Sequence, residues 1–211
     1  MRRPPCLLQI LTICLCLLTF TPKSSGQVAN GWQPVSKDDL ALTDNPGNPG
    51  SSAMILERQV YTDDEKRVQT EWVRIKVFTE AGRAYADVVI PYLEKSNLVE
   101  DIRGRTVRPD GTVISFNGAV FDKVIVKHKK FRYNAKAFTL PGVEVGSVIE
   151  YAYAVRWKGR FPDYVTNPGS YIFQDGWTVP TTTWTIQQDL FTRHAVFVIR
   201  PVKAGRLATS L

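Results

Sequence analysis

The sequence predicts an all-β protein: an antiparallel β-sandwich of immunoglobulin-like architecture, preceded by a short N-terminal helix. Three observations carry that prediction. From Ala53 onward apolar residues recur at every second position and are largely β-branched or aromatic, the pattern of half-buried strands. Turn-forming groups of Gly, Pro and Asp interrupt these runs at the regular spacing of a sandwich or barrel. After Ser51 no stretch has the apolar period of a helix longer than two turns.

The chain opens with an address. Met1-Arg2-Arg3 is basic, Cys6 to Phe20 is apolar but for Gln9 and two threonines, and Thr21 to Gly26 is a small, polar exit with Ser24 and Gly26 at the −3 and −1 places. Residues 1–26 therefore read as a secretory signal peptide, and the mature protein is expected to be exported, periplasmic or extracellular. The apolar run is shorter than the roughly 20 residues a membrane-spanning helix needs, and no second such run follows, so no membrane span is expected after cleavage. All three cysteines, Cys6, Cys14 and Cys16, lie in this segment. The mature chain is thus expected to hold no thiol, disulfide or thiolate metal site. Arg2, Arg3 and Lys23 supply part of the formal net charge of +7 and leave a mildly basic remainder.

Residues 27–51 form a leader. Ser36 is an expected N-cap, with Asp38 and Asp39 in the first turn of a short helix where they suit the helix dipole. Asn45 to Ser51, rich in Pro and Gly, stops regular structure. Trp32 is expected to pin the leader to the sandwich, which spans residues 52–201. In its early strands Val73, Ile75 and Val77 face one way, Arg74 and Lys76 the other. Glu80-Ala81-Gly82 is a turn, and Pro109-Asp110-Gly111 joins Val99–Val107 to Thr112–Phe116 as a hairpin. In Ser147–Trp157, Ile149, Tyr151, Tyr153, Val155 and Trp157 share a face; Glu150 and Arg156 share the other, where cross-strand ion pairs are expected. Thr182–Ile186 and His194–Arg200 complete the strands, the latter with Phe197 and Ile199 inward. Pro201 and Gly205 then introduce residues 202–211, an expected flexible tail.

The residue inventory argues against catalysis. A cysteine nucleophile is missing from the mature chain, and the two histidines, His128 and His194, read as surface residues flanking strands. No G-x-S-x-G elbow is present. Gly104, Gly111 and Gly118 read as turn glycines rather than a phosphate cradle. Asp38-Asp39 and Asp63-Asp64-Glu65 read as solvated surface. No catalytic residue, cofactor or metal ligand is assigned, and the protein is not expected to be an enzyme.

The sharpest charge feature is the run from Lys127 to Tyr133. Lys127, Lys129, Lys130, Phe131, Arg132 and Tyr133 are candidate contacts for an acidic polysaccharide or an acidic protein face; lipid headgroups are also within reach of an exported protein. Lysines on an exposed edge strand also prevent edge-to-edge pairing. Export argues against a nucleic-acid partner. Of the five tryptophans, Trp32, Trp72, Trp157, Trp177 and Trp184, a carbohydrate-binding sandwich would display some, but Trp157 and Trp184 sit in the apolar phase of strands, where core packing is the ordinary role.

One ordered set of motifs is shared with a known family. It runs from Trp32 and Pro34-Val35-Ser36 through Arg74-Ile75-Lys76-Val77-Phe78, Ala86-Asp87-Val88, Asp101 to Thr106 and Pro109-Asp110-Gly111. It ends with Leu140 to Tyr151, Trp177 and Pro180. This resembles the bacterial domain of unknown function, DUF family 3857, that sits N-terminal to transglutaminase-like domains in exported proteins. The resemblance covers most of residues 30–200, and Pro141–Tyr151 is its most specific part. It implies a β-sandwich with no established activity, the chemistry belonging to the following domain. The sequence stops at Leu211 without such a domain, so a stand-alone or truncated copy is expected. The function expected is that of a non-catalytic exported accessory or interaction domain, normally preceding a transglutaminase-like domain; the second reading is a carbohydrate-binding module of the cell envelope.

Overall fold

A computed structural model describes residues 31–127, 132–158, 184–185 and 189–201, with the backbone alone at Lys127 and Arg132. The leader carries α1, Lys37–Ala41. Ser36 is extended and its hydroxyl accepts from the Asp39 amide at 3.0 Å, the N-cap expected from the sequence. The strands that follow are β1 (Ala53–Asp63), β2 (Val68–Val77), β3 (Asp87–Leu93), β4 (Asn97–Val107), β5 (Val113–Ser115), β6 (Phe121–Lys127), β7 (Arg132–Thr139), β8 (Val148–Trp157) and β9 (Ala195–Arg200). A short 3-10 helix, Ala81–Ala86, makes the connection expected at Gly82.

The strands form two sheets, one ordered β5-β4-β8-β2-β1-β9 and one ordered β3-β7-β6. The all-β expectation holds. Every pair is antiparallel except β1 with β9, which run parallel from Arg58↔Ala195 to Asp63↔Arg200. A parallel neighbour needs a crossover of a dozen or more residues, and the long connection between β8 and β9 supplies that length.

The core lies between the sheets. Ile55, Val73, Ile75, Val77 and Ile149 on the larger sheet meet Val88, Ile90, Phe138 and Leu140 on and beside the smaller one. The period-two reading of β2 and β8 put these residues on one face correctly. The opposite face of the larger sheet is also covered. There Met54, Leu56, Val107 and Val148 pack with Val35, Leu40 and Leu42 of the leader. Fully burying such a side chain contributes about 1.5–3 kcal/mol, so the leader is a third layer rather than a loose extension.

The hairpin at Pro109-Asp110-Gly111 forms as expected. Gly111 takes φ +86°, the Gly111 amide donates to Arg108 O at 2.9 Å, and Asp110 Oδ1 accepts from the Thr112 amide at 2.8 Å. That backbone bond holds the Asp110 carboxyl below its ordinary range.

Four expectations are corrected. Gly104 is not a turn glycine: it lies inside β4, where a Cβ would overlap Leu140 Cδ2 and sit 3.3 Å from Glu150 O. Asp63 and Asp64 occupy the β1–β2 turn but are buried, not solvated. Asp63 accepts from the Lys66 amide at 2.9 Å and lies 3.5 Å from Arg200, while burial and then the Asp63 charge push the Asp64 carboxyl up. Asp39 is buried as well, its Oδ1 2.6 Å from Arg193 Nη2. Ile199 shares the face of Phe197 but is not buried there; it is 50 % exposed, because β9 is an edge strand and its last residues flank the β1–β2 turn. Phe197 is half-buried and stacks on Trp184 with ring centroids 5.1 Å apart. Trp184 and Thr185 belong to no strand, and the remainder of the expected strand at 182–186 lies outside the described residues, as do the signal segment and the tail 202–211.

Candidate interaction surface

Charged side chains on the larger sheet are held by the leader. On β2, β8 and β4 the register aligns Arg74, Glu150 and Arg105 across three neighbouring strands. Arg74 Nε donates to Glu150 Oε1 at 2.8 Å, and Arg105 Nε donates to Oε2. Glu150 is fully buried, so the expected cross-strand pair forms but not at the surface. The second expected pair is solvent-facing: Arg156 Nε lies 2.7 Å from Glu100 Oε1.

The spare guanidinium donors reach main-chain oxygens of the leader. Arg74 Nη2 donates to Gln33 O at 2.8 Å, and Arg105 Nη2 to the same oxygen at 2.7 Å. Lys76, also fully buried, donates to Leu40 O at 2.7 Å and Gly146 O at 2.6 Å. Burial lowers the pKa of its ammonium, and the charge of Asp39 opposes that shift. Trp32 lies 5.6 Å and 5.2 Å from the guanidinium carbons of Arg103 and Arg105, a cation–π clamp that pins the leader as expected. These groups spend their hydrogen bonds on holding the leader.

A second polar network crosses the inner face. Arg58 Nε donates to Glu71 Oε1 at 2.7 Å, Tyr153 donates its hydroxyl proton to Oε2 at 2.6 Å, and Arg58 Nη1 donates to Thr185 O at 2.8 Å. Burial, reinforced by the Glu71 charge, raises the pKa of the Tyr151 and Tyr153 hydroxyls, which stay protonated. A cavity of about 410 Å³ lies beside it, lined by Thr70, Glu71, Asp101, Ile102, Arg103 and Tyr153. Asp101 takes φ +54° within the bulge between Glu100 and Arg103. Both oxygens of Glu71 are engaged, which suits a structural brace rather than a general base.

The smaller sheet behaves differently. Its inner residues Val88, Ile90 and Phe138 are buried, yet its outer side is also apolar. The register places Val89 beside Ala137 and Phe121, and Leu93 beside Tyr133 and Val126. Phe121 is 65 % exposed and Val89 50 %, and Val124, Ile125 and Val126 are exposed too. An open groove of about 410 Å³ runs between Val89, Phe116, Gly118, Phe121, Ala137 and Phe138. Apolar residues exposed in this way make the outer side of the smaller sheet a candidate interaction surface. Among the described residues β6 pairs with β7 alone, so one edge of this sheet is open.

The acids near this surface are engaged. Asp122 accepts from Tyr92 at 2.9 Å and pairs with Lys136 at 2.8 Å, which holds its carboxyl below the ordinary range. Asp87 accepts from the Thr139 hydroxyl at 2.5 Å. Between Lys123 and Val143 the sequence has six lysines and arginines and no acidic residue.

Of the candidate contacts read from the sequence, Lys127 ends β6 and Arg132 begins β7, opposite each other. Tyr133 is half-buried, paired with Leu93 and Val126. Lys129, Lys130 and Phe131 lie outside the described residues, as does His128. Sequence reasoning missed Val89 and Phe121; the available signal was Val124-Ile125-Val126, an unbroken apolar run beside Lys127. His194 flanks β9 with an exposed side chain 3.7 Å from Glu57, as expected. Trp72 is buried, and Trp32 and Trp184 are engaged by Arg103, Arg105 and Phe197, so none of these three displays a free ring. Trp177 lies outside the described residues. Among the described residues no helix is long and apolar enough to cross a membrane, and no three His, Cys, Asp or Glu residues are grouped to hold a metal ion.

The family described as a Domain of Unknown Function with solved structure, DUF3857, matches residues 63–200. No curated protein matches the chain. Among 28 similar chains of solved structures is one from Parabacteroides distasonis ATCC 8503, described as a “putative protease”. It shares 17% sequence identity over 53% of this chain and 24% of its own, with a TM-score of 0.45, so this chain spans about a quarter of that protein's length. The family match covers well over half of the sequence and includes every strand from β2 to β9. The chain belongs to the DUF3857 family.

Proposed function

We propose that the protein is a non-catalytic, exported interaction domain that docks a protein partner through the outer face of its smaller sheet, and that a transglutaminase-like domain follows it in its ordinary setting. The observation that supports this reading is the exposed apolar patch around Val89 and Phe121, beside a stretch of sequence from Lys123 to Val143 that carries no acidic residue. Buried Arg74, Lys76 and Glu71 support it as well, since their hydrogen bonds go to the protein's own backbone and side chains.

The test is a cross-linked pull-down from an envelope extract with the wild-type domain and with a Val89→Asp/Phe121→Asp variant. A partner recovered by the wild type and reduced at least tenfold with the variant, at equal melting temperature, is the expected result. Equal recovery by both, or an empty wild-type lane, overturns the proposal.

The basic surplus between Lys123 and Val143 favours one second reading, an acidic polysaccharide of the envelope as ligand. Calorimetric titration with polygalacturonate checks it; heat at low salt that falls as ionic strength rises favours this reading, and no heat at low salt removes it.

A further inference from the structure

We infer that β6 is a strand-acceptor edge: a protein partner adds an extended segment to it as a fourth strand of the smaller sheet, with acidic and apolar residues alternating along that segment. This rests on the interaction role proposed above and names how the docking is made.

The backbone gives the first reason. β6 runs from Phe121 to Lys127 and among the described residues is hydrogen-bonded on one side only, by β7. Along an antiparallel pair, alternate residues of the edge strand turn their N–H and C=O away from the partner. A row of alternating donors and acceptors is satisfied in register by another extended chain. A lipid surface cannot do this, because hydrocarbon offers no hydrogen-bonding groups.

Side chains give the second. Phe121, Val124, Ile125 and Val126 are exposed along this edge. The bulge between Val124 and Val126 inserts one residue, so Val126 joins Phe121 and Lys123 on the outer side, next to Tyr133 and Leu93. An added strand would extend the patch containing Val89 and Phe121 and bury its rim.

Charge gives the third. Asp122, the one acid in β6, is already bound by Lys136 and Tyr92. Lys123 and Lys127 lie in the strand, and Lys129, Lys130 and Arg132 follow in the sequence with no acid among them. A second copy of this chain would bring two such sets of cations together, so self-pairing is opposed. A segment with glutamate or aspartate at alternate positions is favoured.

The experiment uses the whole mature chain and a fluorescein-labelled nine-residue peptide of alternating valine and glutamate, read by anisotropy. Companion probes are the valine–lysine peptide, two versions of the valine–glutamate peptide N-methylated at the odd or at the even residues, and phosphatidylglycerol vesicles. The valine–glutamate peptide is expected to bind saturably, and the valine–lysine peptide at least tenfold more weakly. One N-methylated version should lose at least tenfold and the other stay near the parent, because only alternate amides of an added strand face β6. Equal behaviour of the two N-methylated peptides, equal binding of the lysine peptide, or binding of vesicles without binding of peptide overturns strand addition. If the peptides fail while Val89→Asp/Phe121→Asp still abolishes the pull-down, strand addition falls and the docking face stands. If the peptides show the alternating signature while the pull-down is empty, the edge stands and the envelope partner falls.

Discussion

The outer faces of the two sheets handle polarity in opposite ways. Beneath the leader, the larger sheet buries Arg74, Lys76 and Glu150 and half-buries Arg105. On the other side of the molecule, the smaller sheet leaves Val89, Phe121 and Val126 in water. The difference lies in what each face has above it. The leader brings the carbonyls of Gln33, Pro34 and Leu40 to the cations, so charges that would otherwise be costly to bury are solvated by backbone. Among the described residues Phe121 has no such cover, and on the proposed reading this exposed aromatic beside the β6 edge is where a partner docks. Burial of charge here reports an internal strap.

The comparison breaks most sharply at Glu150. Glu150→Ala leaves the Arg74 and Arg105 guanidinium groups beneath the leader without their carboxylate and should cost about 3–5 kcal/mol, measured by urea unfolding. A loss under 1 kcal/mol would mean that the leader does not seal this face. Leu40→Ala, which trims the strap itself, should cost about 2 kcal/mol by the same measurement, since Leu40 packs against the Met54 and Leu56 cluster.

Lys76 gives a pH signature. Its folded pKa is lowered from 10.5, so between that lowered value and 10.5 the unfolded chain holds more protons than the folded one. Stability from this residue therefore rises as pH rises through that window. The stability of the wild type relative to Lys76→Met should increase from neutral pH toward pH 10.5, and a flat difference would place the ammonium in water. On the bare face the smallest effect is expected: Phe121→Asp should change stability by less than about 0.5 kcal/mol while removing partner binding.

Local chemistry made part of this legible in the sequence. Ser36 caps α1 and Asp110-Gly111 turns a hairpin because each acts on residues two or three positions away. The alternation of Val73, Ile75 and Val77 placed the inner face for the same reason. Alternation could not say that the other side, with Arg74 and Lys76, is covered, because the strap that covers it is distant in sequence. Gly104 looks like any turn glycine until Leu140 is seen against it. The parallel pairing of β9 joins strands far apart in sequence and so leaves no local trace. At the candidate surface the lysines drew notice by charge, whereas Val89 and Phe121 look like ordinary core residues until the outer side of β3-β7-β6 is found to leave them exposed among the described residues.

The parallel alignment of β9 has a mechanical meaning. β9 runs beside β1 in the same direction and ends at Arg200, next to the β1–β2 turn, where Arg200 meets Asp63 and Glu65. Tension applied through Pro201 along the strand axis pulls β9 lengthwise past β1. The hydrogen bonds of that pairing are then strained together in shear instead of being peeled one at a time. A transverse pull at the same point would open them in sequence from Arg200. The domain should therefore resist axial traction from its C-terminal side better than lateral traction.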